Sequence, residues 1–201
     1  MDTAANLLPP LLGDGKGVYR IHVIGNSATR LALILKIPFI PLDEVFWNPN
    51  WVQTPNDEFQ ARIDVLLEQH RETGWVIDGN YTRRMGAAVS IERTDCIWLD
   101  PPILLYLPRL IFRTFLRLIS INPQCAPGCN ETLLSVLKFN DESIIWWCIT
   151  HHGHCREYGE RLIKEDGGVG NGGKVRRIGG WGSELWRWTA EVERMAAEAT
   201  G

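Results

Sequence analysis

The chain has 201 residues, of which 45% are hydrophobic, and a formal net charge of −3 at pH 7. This length and apolar content predict one folded domain with a core of its own. The slightly acidic balance argues against a basic surface that binds nucleic acid. Five cysteines, an odd number without an apolar signal segment before them, favour free thiols and a cytoplasmic protein.

Residues 1–17 are predicted to form a loose N-terminal extension, and residues 18–201 a single domain. Short apolar strands and amphipathic helices alternate along this domain. The clearest helix is predicted at 55–72, with an apolar stripe formed by Phe59, Ile63, Leu66 and Leu67. The strands are continuous apolar runs, which are typical of a parallel sheet covered by helices on both faces. The sequence therefore predicts an α/β protein with a mostly parallel sheet.

The first predicted strand, "VYRIHVI", leads into Gly25, Asn26 and Ser27 and then into a helical pattern. A phosphate-binding P-loop begins this way, but its full motif is Gly-x-x-x-x-Gly-Lys-Ser/Thr. Counted from Gly25, the positions of the second glycine and the lysine hold Arg30 and Leu31. On these residues alone, a strand, a turn and a helix capped by Ser27 is the better interpretation.

The segment "IPLDEVFWNPNW" places Asp43 at the end of the second predicted strand, with Trp47 and Trp51 on the loop that follows. Ligands of open parallel sheets bind outside the carboxyl ends of the strands. An acid and two aromatic rings there suit a polar ring or a hydroxyl group. A loop carboxylate and two core tryptophans explain the same residues equally well.

The segment "WVIDGNYTRR" places Asp78 at the end of a buried strand. A carboxylate in this position can hold a water molecule bound to Mg²⁺, and Arg83 or Arg84 can contact a phosphate. The alternative is a carboxylate that accepts hydrogen bonds from the backbone of the turn.

Residues 103–163 are predicted to be mostly helical, and a Gly-rich loop follows at 166–182, with room for a last short strand at 174–178. The helical region opens with the most apolar stretch of the chain, but Arg109, Arg113 and Arg117 interrupt it, so it is not an integral membrane segment. Their i, i+4, i+8 spacing places the three arginines on one helix face. Such a face suits a polyphosphate clamp, contact with an anionic membrane, or simple exposure to solvent.

Taken together, "RIHVIGNS", "IPLDEVFWNPNW", "WVIDGNYTRR", "CIWLDPP" and the following arginine-bearing helical region resemble one family. These are the small adenylate-kinase-like P-loop proteins sometimes labelled DNA topology modulation proteins. The resemblance runs from about Tyr19 to about Ile163. It implies a three-layer α/β/α P-loop NTPase fold with a helical lid region at about 103–163, ATP and Mg²⁺ as cofactors, and phosphoryl transfer from a nucleoside triphosphate to a small-molecule acceptor. No basic patch supports a nucleic-acid partner.

The resemblance also implies roles for individual residues. The residues expected to bind the nucleotide are Gly25, Asn26 and Ser27. The residues expected on the acceptor side are Asp43, Trp47, Trp51, Asn80 and Tyr81. The arginines expected to stabilise charge on the transferred phosphate are Arg83, Arg109, Arg113 and Arg117. Asp78 is expected to hold Mg²⁺ through a water molecule, and Asp43 to orient the acceptor.

The chain departs from the family at its phosphate loop. Family members continue "GNS" with Gly-x-Gly-Lys-Ser/Thr, whereas this chain continues directly with "ATRLALILK". About seven residues are missing, among them the lysine and the Mg²⁺-binding hydroxyl. Loss of one preorganised donor costs on the order of 3 kcal/mol of transition-state stabilisation. We therefore expect weak nucleotide binding and negligible transfer, as in a catalytically inactive binding module on the same fold, whether the gap is genuine or an error in the gene model.

Overall fold

A computed structural model describes residues 8–25, 28–81, 83–119, 121–130 and 143–199. The strands are β1 (Arg20–Ile24), β2 (Phe39–Pro41), β3 (Trp47–Asn48), β4 (Val52–Gln53), β5 (Trp75–Asp78), β6 (Asp95–Leu99) and β7 (Val175–Ile178). The α-helices are α1 (Ala28–Leu35), α2 (Leu42–Phe46), α3 (Asn56–Gln69), α4 (Ala88–Glu92), α5 (Ile103–Leu118), α6 (Ile144–Asp166) and α7 (Ser183–Glu198). Two short 3₁₀ turns lie at Pro49–Trp51 and Val169–Asn171.

The central sheet has five strands in the spatial order β2-β5-β1-β6-β7, and every pair is parallel. Strands β3 and β4 form a separate antiparallel hairpin. The predicted α/β class with a parallel sheet is therefore confirmed. The chain leaves β1 towards β2 on one side and leaves β6 towards β7 on the other. Strands β1 and β6 are neighbours, and the connections that follow them run in opposite directions. Open sheets bind ligands in the crevice at the carboxyl ends of two such strands.

Helices cover both faces of the sheet and complete three layers. On one face, helices α1 and α7 pack against β1 residues such as Ile21 and Val23. On the other face, α3 and α4 pack against β5 residues such as Trp75 and Ile77, and α6 packs against Trp98 of β6. Helix α3 illustrates the rule, because its predicted apolar stripe is the face it buries, through Phe59, Ile63 and Leu67.

Residues 8–17, which the sequence places in the loose extension, pack against the domain. Leu11 is buried in the core beside Trp188, whose indole N–H donates to the carbonyl of Pro10 at 2.9 Å. The Asp95 carboxylate accepts hydrogen bonds from the backbone N–H groups of Leu12 and Gly13, at 2.7 and 3.0 Å. Residues 1–7 lie outside the described part of the chain.

A polar network lies inside the molecule beneath β1. His22 is fully buried, and its Nε2 lies 2.9 Å from the carbonyl oxygen of Gly79. Because a carbonyl only accepts, Nε2 carries the proton and Nδ1 accepts from the Arg93 guanidinium at 3.2 Å. Arg93 also pairs with Asp166 at the end of α6. Burial lowers the pKa of His22 to about 4, and the charge of Arg93 acts in the same direction, so the imidazole is neutral at pH 7.

Helix α6 contacts the sheet through a glycine. A methyl group added at Gly159 would lie 2.1 Å from Cε2 of Trp98, whereas one added at Gly153 meets nothing within 4 Å. In a helix alone, alanine is favoured over glycine by about 1 kcal/mol. We therefore expect Gly153→Ala to raise the free energy of unfolding by about 1 kcal/mol, and Gly159→Ala to lower it by about 1–3 kcal/mol through overpacking.

Urea denaturation of the two variants measures both values. The pair is matched in residue type and helix, so opposite signs isolate the contact with Trp98. Stabilisation by both substitutions would mean that α6 does not pack closely on β6.

No helix in the described ranges combines the length and the apolar content needed to cross a membrane.

Candidate functional site

Acidic side chains mark the carboxyl edge of the sheet. Asp78 is the last residue of β5, Asp43 lies in the first turn of α2 just after β2, and Asp100 directly follows β6. Since β1 lies between β5 and β6, Gly25, which directly follows β1, lies at the same edge of the sheet. The sequence predicted Asp43 and Asp78 at this edge. Asp100 carries the same signal, an aspartate directly after an apolar strand, and was overlooked.

Gly25 marks a close approach between the ends of β1 and β6. Its φ is +142°, and an added Cβ would lie 2.6 Å from Cβ of Leu99. Glycine is therefore required on both conformational and steric grounds. Asn26 and Ser27, the other residues expected to bind nucleotide, lie outside the described residues.

Hydrogen bonds hold the Asp43 carboxylate from two sides. The Tyr81 hydroxyl donates to Oδ1 at 2.6 Å, and the Cys125 thiol donates to Oδ2 at 3.4 Å. The rings of Trp47 and Tyr81 both pack against the Phe46 ring, with centroids 4.8 and 4.7 Å from it. Burial, followed by the charge of Asp43, raises the pKa of Tyr81, so the phenol remains a donor. The structure thus joins three predicted acceptor-side residues and adds Cys125.

Asp78 stands next to this cluster and is partly buried. Burial, followed by the charge of Asp43, raises the pKa of its carboxyl, and the charge of Arg113 opposes this rise. The resulting pKa is about 7. Near pH 7 this carboxyl exists in both protonation states, which suits a group that exchanges protons. Two neighbouring carboxylates are also what a hard cation such as Mg²⁺ prefers as ligands, so the residues present fit the implied metal.

The structure separates the predicted arginines. Arg113 of α5 is partly buried, acts on Asp78 through its charge, and has a buried Nε without a hydrogen-bond partner among the described residues. Arg109 is exposed, Arg117 is half-buried, and Arg83 is exposed on the turn after β5. The three arginines lie on one stripe of α5, because they recur every four residues. The packing of α5 brings the middle one, Arg113, towards Asp78.

Two other predicted acceptor-side residues lie at the border of the cluster. The ring of Trp51 packs edge-on against Trp47, with centroids 5.5 Å apart, and its indole N–H donates to the carbonyl of Asn130 at 3.0 Å. Asn80 is exposed and forms a hydrogen bond with Cys155 of α6. Trp51 therefore links the loop after α2 to Asn130, and Asn80 links the turn after β5 to α6.

A cleft of about 380 Å³ opens beyond the ends of β6 and β7. At its base, the nearly buried Asp100 carboxylate binds two arginines. Arg156 of α6 contacts Oδ1 through Nε at 3.1 Å, and Arg177 of β7 contacts Oδ2 through Nε at 3.0 Å. The Arg177 guanidinium also lies over the ring of Trp98, 4.7 Å from its centroid. The cleft thus presents two oriented guanidinium groups, each with more N–H donors than one carboxylate can satisfy.

The rim of the cleft is polar as well. The Tyr106 hydroxyl and Nδ1 of His152 are 3.0 Å apart. The backbone N–H of Gly179 donates to the Glu184 carboxylate at 3.1 Å, which holds the loop after β7 against the start of α7. None of the residues that line this cleft was predicted from the sequence to bind a ligand there. They come together only through the pairing of β6 with β7 and the packing of α6.

Nowhere in the described ranges do three or more His, Cys, Asp or Glu side chains form a group that could hold a metal ion. A metal at Asp78 would therefore depend on one or two carboxylates, water and ligand oxygens, which is how Mg²⁺ is usually bound.

Comparison with known proteins finds no family model that matches the chain and no match among curated proteins. The functional assignment accordingly rests on the residues and their geometry.

Proposed function

We propose that the chain is a P-loop-kinase-like nucleotide-binding protein whose shortened phosphate loop leaves it without phosphoryl transfer. One observation carries the proposal. Two sets of charged side chains lie at the carboxyl edge of the sheet, on either side of β1. The Asp43–Asp78 pair lies on one side, and the Asp100–Arg156–Arg177 group lies on the other.

The two sets suit the two ends of a phosphate compound. In the cleft, Arg156 and Arg177 provide planar, permanently charged donors that bind phosphate oxygens in pairs. On the opposite side, Asp43 is held by Tyr81 and Cys125 in an orientation that can accept a hydrogen bond from a hydroxyl of a small acceptor. Mg²⁺ held near Asp78 would neutralise charge on bound phosphates.

The phosphate loop itself does not fit a complete triphosphate cradle. Strand β1 ends at Ile24 and α1 begins at Ala28, so only Gly25, Asn26 and Ser27 lie between them. The full motif spans eight positions and ends in Lys-Ser/Thr. The position of its lysine holds Leu31, whose side chain is buried in the core. Transfer depends on donors aimed at the β and γ oxygens, and the sequence lacks the lysine and the Ser/Thr with which the motif supplies them.

The expected behaviour is weak binding of MgATP that depends on the cleft arginines. We expect Arg177→Met and Arg156→Met each to weaken binding about tenfold, which corresponds to about 1.4 kcal/mol. Arg30→Met is the matched control, because Arg30 forms an exposed ion pair with Glu193 at 2.8 Å, away from the cleft. Isothermal titration of each variant with MgATP gives the three affinities, and thermal melts verify folding.

Equal affinities of all variants would refute nucleotide binding in the cleft. Incubation with γ-labelled ATP and a panel of nucleosides and nucleoside monophosphates tests the second part of the proposal. Labelled product above an enzyme-free control would show that the shortened loop still supports transfer.

A second candidate function is an active phosphotransferase, of which this chain is a shortened form. The retained acceptor-side cluster of Asp43, Tyr81 and Trp47 favours it, because binding ATP alone does not require these residues. Sequencing the transcript across the codons for Ser27 and Ala28 decides between the two. An insertion encoding Gly-x-Gly-Lys-Ser/Thr supports the active enzyme, and a direct junction supports the inactive module.

A further inference from the structure

Helix α5 has a continuous apolar face that is exposed to solvent. Phe112 and Phe115 are 63% and 53% exposed, and they lie at its centre. Further exposed apolar side chains on this face and just beyond the helix are Leu104, Ile111, Ile119 and Ile121. The opposite face of the helix buries Leu110 and Thr114 and joins α5 to the domain. We call the exposed side the α5 apolar face.

The arrangement on the helix is regular. Leu104, Ile111, Phe115 and Ile119 recur at intervals of seven or four residues, so they align along one side. From Leu104 to Ile119 the face is about 22 Å long at 1.5 Å per residue. On α1, by contrast, Leu33 is the one large apolar side chain among the exposed residues, and single exposed apolar residues are ordinary on protein surfaces. A continuous exposed face marks an interaction surface.

The charge around the face indicates the kind of partner. Residues 101–130 contain three arginines and neither aspartate nor glutamate. Arg109 is exposed and lies about 60° around the helix from Phe112, at the border of the apolar face. Apolar rings beside an exposed arginine, on a segment without acidic residues, complement an anionic lipid surface, where the rings enter the acyl region and the arginine meets the headgroups.

We propose that the α5 apolar face docks the protein on anionic membranes, with α5 lying in the plane of the interface. Phe112 and Phe115 insert below the headgroups, and Arg109 contacts lipid phosphates. The helix need not cross the bilayer, since its opposite face remains packed on the domain. Docking does not require nucleotide binding. Phe112, Phe115 and Arg109 are exposed in the structure, and none of them lines the cleft around Asp100.

Co-sedimentation with vesicles tests this proposal. One set contains only phosphatidylcholine, and the other contains equal parts of phosphatidylcholine and phosphatidylserine. We expect the wild-type chain to bind the anionic vesicles and to be released by high salt, because charge contributes to the affinity. The paired substitution Phe112→Asp and Phe115→Asp should reduce the partition coefficient by about tenfold or more, since it removes apolar area and adds negative charge.

The matched control is Leu33→Asp with Ile91→Asp, which adds the same charge at two exposed apolar residues of other helices; it should retain at least half of the binding, about a twofold effect. The uncharged pair Phe112→Ser and Phe115→Ser repeats the test if the aspartates disturb folding by circular dichroism. Absence of wild-type binding to anionic vesicles, or equal loss in the control, overturns the proposal. A wild-type dimer in light scattering that the Phe112/Phe115 variant converts to a monomer also overturns it, by assigning the face to a second copy.

Discussion

Replacing Asp78 with asparagine raises the free energy of unfolding at pH 8 by about 2–3 kcal/mol. Asparagine has nearly the shape of the protonated carboxyl and cannot ionise. In the native protein, ionisation of Asp78 is opposed first by burial and then by the charge of Asp43. The substitution removes the cost of keeping a carboxylate there.

The sign follows from the two pKa values. The pKa of Asp78 is about 7 in the folded protein against an ordinary value of 3.8, so the folded state holds more protons between these values. The contribution of this carboxyl is fully present below pH 3.8 and is lost as the pH rises through 7. A pKa shift of this size corresponds to about 4 kcal/mol of folding stability. Water reaches part of the Asp78 side chain and screens its charge, so the gain expected for Asp78→Asn is about 2–3 kcal/mol.

His22 contributes in the opposite direction. Its pKa falls from 6.5 to about 4 on folding, so its stabilisation is present above pH 6.5 and is lost as the pH falls towards 4. The two groups oppose each other over this window in the wild-type protein. We therefore expect the stability of the Asp78→Asn variant to rise with pH between 4 and 6.5 more steeply than that of the wild type.

Urea denaturation at several pH values between 4.5 and 8 measures these differences. Asp64→Asn is the control, because Asp64 is exposed on α3, and its free energy of unfolding should stay within about 0.5 kcal/mol of the wild type. Excess Mg²⁺ provides a second measurement, since a cation at Asp78 should stabilise the wild type at pH 8 and not the variant. A loss of stability in Asp78→Asn at pH 8 would show that the native carboxylate is favourably placed.

Replacing Arg93 with methionine lowers the free energy of unfolding at pH 7 by about 3–5 kcal/mol. The Arg93 side chain is 1% exposed and connects β1, through His22, with the end of α6, through Asp166. Its backbone carbonyl also accepts a hydrogen bond from the Lys174 ammonium at 2.9 Å. Methionine retains much of the volume but leaves His22 Nδ1 without its donor and Asp166 without its partner.

The control for this prediction is again Arg30→Met. Its ion pair with Glu193 is exposed, so the loss should be below about 1 kcal/mol. Chemical denaturation of both variants at pH 7 gives the comparison. If Arg93→Met costs no more than Arg30→Met, the buried network does not hold β1 and α6 together.

Much of the fold was predictable from local sequence. Continuous apolar strands alternating with amphipathic helices indicate a covered parallel sheet, and the apolar spacing of α3 identified the face that it buries. The positions of Asp43 and Asp78 followed from a single rule, since the carboxyl ends of parallel strands meet at one edge. These predictions needed only the order of elements along the chain and the direction of each strand.

Periodicity alone determined less about the arginines of α5. A spacing of four residues places side chains on one stripe, but it does not say which side of the helix packs on the domain. Tertiary packing directs Arg113 towards Asp78, leaves Arg109 exposed, and leaves Phe112 and Phe115 in solvent.

By itself, the sequence determined the α/β class, the acidic ends of two strands and the absence of a complete Gly-x-x-x-x-Gly-Lys-Ser/Thr motif after β1, because each is a property of neighbouring residues. Only the tertiary structure decided that Arg156 and Arg177 share the Asp100 carboxylate, and that Arg93 reaches His22. Those contacts join residues more than fifty positions apart, across a parallel pairing of strands and the packing of a helix. No local pattern encodes such a partnership, because it depends on which elements the whole chain brings side by side.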